Sequence, residues 1–493
     1  MKAIDRKLKV LTSIMLRISV VLLFLFVAIY LYREVNDGSY HIQEFQVPRQ
    51  ISEMGYSGDV VARKIQNRVV EFVGIANRTW SQKELEEYSQ SADRTQLQVE
   101  VAGIGFSPQV LVRSLKGTFG IPSKEISGEV TYAGKRLRLT LRVTGQKNAF
   151  VLDEEMVDQS EGDAMESLIV KSAQKVLEIN NPLLLGILFT GDITTSEIKH
   201  NDSLGIKMFR LAIATKPEQA AHAYVWWARS IFDISGDSIL ASRKLAKALS
   251  IDPETALAYH YLAQMKFHNG DFVEGERLMK KALELDPTSH WSWRALGWRY
   301  KRGNGERDNE AIQCYRKAIE LGLNNPNDEM DLAFLYYYNN KYDEALDLIE
   351  SKENLGIRYD LPLKYLVLKN LNDSLQADIE LDRLRVDSKD SRRLSDRFNR
   401  LAYELEERKN KWPDAFELAN LAIQLDSTNA YPFTTKAELS GLAGDEQGFY
   451  NNLELAIRKG FDLSEIDEHD EPYHKYSGDQ RYQLLREKHK IRQ

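Results

Sequence analysis

The amino-acid sequence predicts an α+β chain in three parts: an N-terminal transmembrane helix, a small mixed α/β domain, and an all-α superhelical solenoid. Three observations carry this. Val10–Tyr32 is a long apolar run, residues 41 to 179 mix strand-like alternation with helical stripes, and His222–Ser289 repeats every 34 residues. Gly236 and Gly270 are in phase, as are Ala248 and Ala282, and the pairs Asp252-Pro253 and Asp286-Pro287. The expected boundaries are 1–35 for the tail and anchor, 36–180 for the α/β domain and 181–493 for the repeats. At 493 residues the chain exceeds what one core holds.

The run VLTSIMLRISVVLLFLFVAIYLY carries Arg17 as its only charge. As a helix of about 1.5 Å per residue it is long enough to cross a bilayer core of about 30 Å. Arg17 can snorkel toward the basic end, and Tyr30 and Tyr32 suit an interfacial belt. Lys2, Arg6, Lys7 and Lys9 precede the run, whereas Arg33, Glu34 and Asp37 roughly cancel after it. The positive-inside rule then puts the N-terminus in the cytoplasm and residues 36–493 on the periplasmic side of a bacterial inner membrane. The run is longer than a signal-peptide core and no small-residue cleavage pair follows, so an uncleaved, single-pass signal-anchor is expected.

In the second part, His41–Val47 alternates like a strand ending at Pro48, and Gly58–Ala76 carries a helical stripe of Val61, Ile65, Val69, Phe72 and Val73. Thr79–Thr95 reads as a polar loop, Leu97–Val101 as a strand, and Ser107-Pro108 as the start of a helix reaching Leu115. Glu125–Ala133 and Arg136–Thr144 form a hairpin about Gly134-Lys135. Leu137, Leu139, Leu141 and Val143 share one face of its second strand. Arg136, Arg138 and Arg142 share the other, which predicts a sheet with a buried face and a cationic face. A strand at Phe150–Met156 and an amphipathic helix at Asp163–Ile179 complete the domain. The run ISGEVTYAGKRLRLTLRVTG resembles the small domains that precede repeat arrays in envelope proteins, such as the N-terminal domain of TolB and its flagellar-outer-membrane relatives. That resemblance implies an exported or membrane-linked, non-catalytic domain, with homo-oligomerisation through residues 36–180 as a possibility.

Asn181-Pro182 opens the third part with a cap and a first-turn proline. Leu183–Thr190 and Ser203–Ala214 make a loosened first hairpin, followed by two clean ones. Glu254–Pro287, ETALAYHYLAQMKFHNGDFVEGERLMKKALELDP, resembles a tetratricopeptide repeat along its length. Small residues stand where helices approach closely: Ala241, Ala248, Ala263, Gly275 and Ala282. A third unit starts at His290 and a fourth at Pro326. Residues 351–395 stay helical without the signature, Arg397–Ser427 recovers it, and Ala430–Phe461 is weaker. A polar helix closes the chain.

The resemblance implies a groove lined by the first helix of each hairpin, with a protein or peptide partner in it. In the clean repeats the groove positions fall on Trp226, His260, Gln264 and Phe267. Farther on they fall on Trp291, Arg294, Trp298 and Lys301, then Met330, Phe334 and Tyr337, while Trp227 and Trp293 pack inward. Five of the seven Trp lie between Trp226 and Trp298, and exposed aromatics beside arginine suit protein recognition. Relatives that hold acidic C-terminal tails use a clamp of Lys, Asn and Arg. Trp226, Ser230, Tyr261, Trp291 and Ala295 stand at those places, so that clamp is absent.

No P-loop, G-x-S-x-G, H-E-x-x-H or kinase set occurs, so no catalytic residues, cofactor or metal are expected, and the chain reads as a non-enzyme. The net charge of -7 excludes a bulk nucleic-acid footprint. Asp467–Glu471 with His469 and His474 reads as a solvated acidic loop, and Cys314, the single cysteine, permits no intrachain disulfide. The sequence therefore points to a membrane-anchored scaffold that recruits envelope proteins. The alternatives are a structural subunit of an oligomeric membrane-associated ring, and a sensory subunit binding a peptide or cell-wall fragment.

Overall fold

The computed structural model describes residues 40–77, 98–99, 124–155, 160–191, 199–302, 305–322, 326–354, 362–388, 390–466 and 471–490. The expected anchor at 10–32, the loop at 79–95 and the helix from 107 to 115 lie outside the described residues. Among the described residues no helix is long and apolar enough to cross a membrane. The chain divides into two compact units, Met1–Ser289 and His290–Gln493.

Among its described residues unit 1 has a five-stranded sheet in the order β2-β1-β3-β4-β5. Its strands are β1 (Tyr40–Ile42), β2 (Gln98–Val99), β3 (Lys124–Ala133), β4 (Arg136–Val143) and β5 (Phe150–Glu155). The hairpin turns at Gly134-Lys135 as expected, with Ala133 opposite Arg136. The first strand is shorter than expected: the Phe45 N–H donates to the Gly58 carbonyl at 3.2 Å, so the chain leaves the sheet there. It rejoins only through a bridge between Gln46 and Glu129. Helix α1 (Arg49–Glu53) follows, then α2 (Gly58–Asn77); after β5 comes α3 (Glu161–Asn180). Helices α2 and α3 pack on each other, and α3 also packs on β4 and β5. Leu137, Leu139 and Leu141 of β4 and Val61, Ile65, Val69 and Phe72 of α2 are fully buried, as their spacings require.

The expected cationic face is corrected by the register. Arg136 lies opposite Glu155, and Arg138 lies opposite Asp153, to which it donates at 2.6 and 3.0 Å. Arg136 also pairs with Glu155, and Arg142 reaches Glu129 of β3 at 2.6 Å. The face is a solvated lattice of cross-strand ion pairs, in which charges neutralise each other.

The packing does not stop at residue 180. Asn181 accepts from the Leu184 N–H at 3.1 Å and opens α4 (Pro182–Thr190), an apolar helix touching both α2 and α3. One core then runs from Ile42 of the sheet to Met265 of the repeats. It includes α5 (Asp202–Thr215), the clean hairpin α6 (Ala220–Ser235)/α7 (Ser238–Ile251) and α8 (Ala256–His268), the first helix of the second clean hairpin, whose other helix is α9 (Phe272–Leu285). Gly270 (φ +78°) follows α8 in a left-handed turn that only glycine adopts without strain. Asp237 and Asp271 then cap the second helices. Ala241, Ala248, Ala263 and Ala282 have no exposed surface. At Gly275 a Cβ would sit 2.5 Å from the Phe267 ring, which shows why the frame needs small residues there.

Among its described residues unit 2 holds five hairpins: α10 (His290–Lys301)/α11 (Asp308–Glu320), α12 (Pro326–Tyr338)/α13 (Tyr342–Asn354), α14 (Leu363–Asn370)/α15 (Ser374–Ser388), α16 (Ser391–Glu404)/α17 (Trp412–Leu425) and α18 (Tyr431–Leu442)/α19 (Glu446–Arg458). Helices α20 (Tyr473–Tyr476) and α21 (Gln480–Lys490) close it. The expected polar end is anchored by aromatics: Phe449 stacks on Tyr476 at 4.3 Å, and Tyr482 is buried beside them.

Candidate partner-binding recess

In unit 1 the expected groove residues are mostly part of the packing. Trp226 is 2% exposed, with its ring edge-on to Tyr261 and the Arg229 guanidinium 5.1 Å from its centroid. His260 is buried against Tyr261 and shares a 2.9 Å hydrogen bond with Gln264, which alone of the four keeps partial exposure. Phe267 is buried over the bare Cα of Gly275. The neighbouring tryptophans exchange the roles expected of them. Trp227 is the half-exposed one, stacked on Tyr224, with Lys244 at 3.5 Å and Arg210 at 4.9 Å from its ring. Partial burial beside Arg210 depresses the Lys244 pKa.

In unit 2, Trp291 is half-buried beside His290 and Arg294. The Arg294 Nε donates at 2.5 Å to Asp328, a nearly inaccessible carboxylate whose pKa burial raises. Arg294 therefore neutralises a buried charge. Tyr337 is fully buried and donates its hydroxyl to Asp414. Trp298 is 43% exposed, with Arg302 4.4 Å from its ring.

Trp298, Lys301 and Phe334 do come together, with Met330, in the wall of a recess of about 1230 Å³. Its other walls are α16, the segment 406–412, α18 and Phe461, Glu465, Ile466, Glu471 and Tyr473. Helices α10, α12, α16 and α18 are each the first of their hairpin, the arrangement expected of a groove. Sequence reasoning stopped at Tyr337 and missed the opposite wall: Arg400, Tyr403 and Glu404 stand at i, i+3, i+4 on α16, a stripe the same frame could have exposed.

The closure depends on residues with no sequence signature. Arg408, 5% exposed, pairs with buried Asp308 at 2.9 Å and donates to the Lys301 carbonyl at 2.9 Å. Its guanidinium also lies 4.6 Å from the Tyr338 ring. Nearby, Lys411 donates to Asn340 at 2.8 Å and to the Tyr342 hydroxyl at 3.0 Å; burial depresses its pKa. These contacts tie segment 405–412 to the first two hairpins of the unit. Removing one partner of a buried pair costs about 3–5 kcal/mol, because the other charge stays buried.

One end of the recess is acidic. Glu406 and Glu438 hydrogen-bond to each other, and burial together with the Glu438 charge pushes the Glu406 pKa up to about 8. The Tyr473 hydroxyl donates to Glu438 at 2.8 Å, and the Trp412 indole donates to the Glu406 carbonyl at 2.8 Å. Burial and Glu438 hold the Tyr473 phenol well above its ordinary range. Among the described residues no cluster of His, Cys, Asp and Glu could hold a metal ion. Cys314 is buried in α11. The arrangement offers shape, aromatic surface and fixed charge, which is the equipment of recognition.

No family model matches the chain. A stretch of 150 residues, 28% of this chain, is 30% identical to the anaphase-promoting complex subunit CDC16 of Saccharomyces cerevisiae, and spans 17% of that protein. Among solved structures, that of YrrB, described as a TPR protein with an unusual peptide-binding site, is 15% identical; the match covers 45% of this chain and 95% of YrrB with a TM-score of 0.24. The Cut9–Hcn1 hetero-tetramer of the APC/C is 16% identical over 61% of each chain, with a TM-score of 0.33. A human IFIT1 dimer with m7Gppp-AAAA is 18% identical over 61% of this chain and 71% of its own, also at 0.33.

Proposed function

We propose that this chain is a membrane-anchored adaptor that docks a segment of a partner protein in the recess of residues 290–493. The observation that carries the reading is the recess itself, which exposes Trp298 among fixed charges on the first helices of four hairpins. An exposed aromatic beside arginine in a concave site is what protein hot spots are made of. The apolar run at 10–32 and the basic residues before it support an inner-membrane anchor with residues 36–493 in the periplasm. A second reading, a ring subunit, draws on β5, an edge strand of the sheet with Val151 exposed, which could pair with another copy.

A photo-crosslinking residue at position 298 tests the docking. It should give a discrete partner adduct in membranes, whereas the same residue at Val273, 85% exposed in unit 1, should not. Equal labelling at both positions would sink the reading. Light scattering on the detergent-solubilised chain addresses the ring: a monomer removes it. A cysteine introduced at Val273 should react with an impermeant thiol reagent in spheroplasts, and protection there would reverse the topology.

A further inference from the structure

We propose that the Glu406 end of the recess recognises a cation, seating a lysine or arginine side chain of the docked segment between the Glu406 and Glu438 carboxylates. The inference rests on the docking reading and specifies the sign of the partner. Two of the recess's own cations are already committed, Arg408 to Asp308 and Lys301 to Asp331. Glu404, Glu407, Glu465 and Glu471 also line the recess; of its remaining cations Arg302 and Lys409 lie over the Trp298 and Trp412 rings and Arg400 stands beside Glu404, so the lining carries an excess of carboxylates. Glu406 Oε2 is buried and has no hydrogen-bond donor among the described residues. A buried oxygen left without a donor carries an uncompensated desolvation cost, which an incoming ammonium or guanidinium relieves. The half-exposed rings of Tyr403 and Tyr431 also line the recess and suit the stem and charge of a basic side chain. This is the reverse of the clamp that holds acidic tails.

The pair's proton makes the event measurable. Glu438, Glu407 and Tyr473 face Glu406, and none of them is cationic, so Glu406 keeps its proton near neutral pH until a cation arrives. Seating the cation expels that proton. Binding therefore releases a proton to buffer below about pH 8, and affinity rises as pH approaches that value.

The test uses the full chain in detergent and two labelled, acetylated heptapeptides, one alternating lysine with leucine and the other alternating glutamate with leucine, read by fluorescence anisotropy. The lysine peptide should bind and the glutamate peptide should not. E406Q and E438Q should each weaken binding about tenfold or more, and calorimetry in buffers of different ionisation enthalpy should report proton release that E406Q abolishes. Equal binding of both peptides, or unchanged affinity in E406Q and E438Q, overturns cation recognition. In that case the docking reading survives if W298A still weakens both peptides. Failure of both peptides to bind also overturns it, and the crosslink at 298 then judges docking separately. Binding that appears only after deletion of 488–493 would show the chain's own basic end in the site and overturn a foreign occupant.

Discussion

Gln264 and Trp298 stand 34 residues apart in the same frame position, as do Phe267 and Lys301, yet the two units use them differently. In unit 1, Gln264 bonds to buried His260, and Phe267 sinks over Gly275. In unit 2, Trp298 stays on the surface, and Lys301 crosses to Asp331, which also accepts from the Tyr315 hydroxyl at 2.8 Å. The repeat frame assigns a direction to each side chain, and the neighbours decide whether that direction is a wall or a surface. Where a glycine leaves room, an aromatic ring fills the core. Where the first helices face an opposing wall of charged side chains, the same position borders a cavity.

The sharpest way to break this contrast is through the two charged or aromatic residues that hold each unit. Arg408→Met should destabilise unit 2 by about 3–5 kcal/mol by stranding Asp308, and the added Asp308→Asn should recover a large part of it. Trp226→Ala should cost unit 1 about 3–5 kcal/mol, as a truncated core aromatic does. Both are checked by thermal melting with hydrogen exchange to locate the loss; a mild effect at Trp226 would restore it to the surface. Gly275→Ala should cost about 1–3 kcal/mol through the clash with Phe267, read by the same melts.

A further effect follows from pH. The folded Glu406 carboxyl holds its proton above the unfolded range, so its stabilisation is complete below about pH 4.5 and is lost as pH rises toward 8. The melting temperature of unit 2 should fall as pH rises from 5 to 8. In E406Q the slope should flatten. The smallest stability change belongs to Trp298→Ala, within about 0.5 kcal/mol, while partner crosslinking near 298 falls sharply.

Much of the fold was legible because it is local. The hairpin at Gly134-Lys135, the turn glycine Gly270 and the small residues Ala263 and Ala282 each declare themselves within a turn or two, whereas the capping Asp237 and Asp271 were passed over. The buried leucines of β4 followed from alternation alone. The arginine face was misjudged because its partners sit on other strands, although Asp153 and Glu155 alternate on β5 in the matching phase. The recess was half visible: the frame gave Trp298, Lys301 and Phe334. Arg408 and Asp308 are 100 residues apart, and their meeting depends on curvature accumulated over several hairpins. No local pattern encodes that sum. Trp226 and Trp227 were exchanged because adjacent helix positions differ by only about 100° in direction, so a small rotation of α6 decides which ring is inside.

The continuous core from Ile42 to Met265 has a consequence for how this chain can be divided and inherited. A repeat array ends on an apolar flank that needs covering, and here the sheet domain supplies the cover through α3 and α4. A cut at 180, where composition changes, would bare Leu183, Leu184 and Ile187 to water. The piece that evolution or an engineer could exchange intact is therefore the sheet together with the repeats up to residue 289, as one cassette.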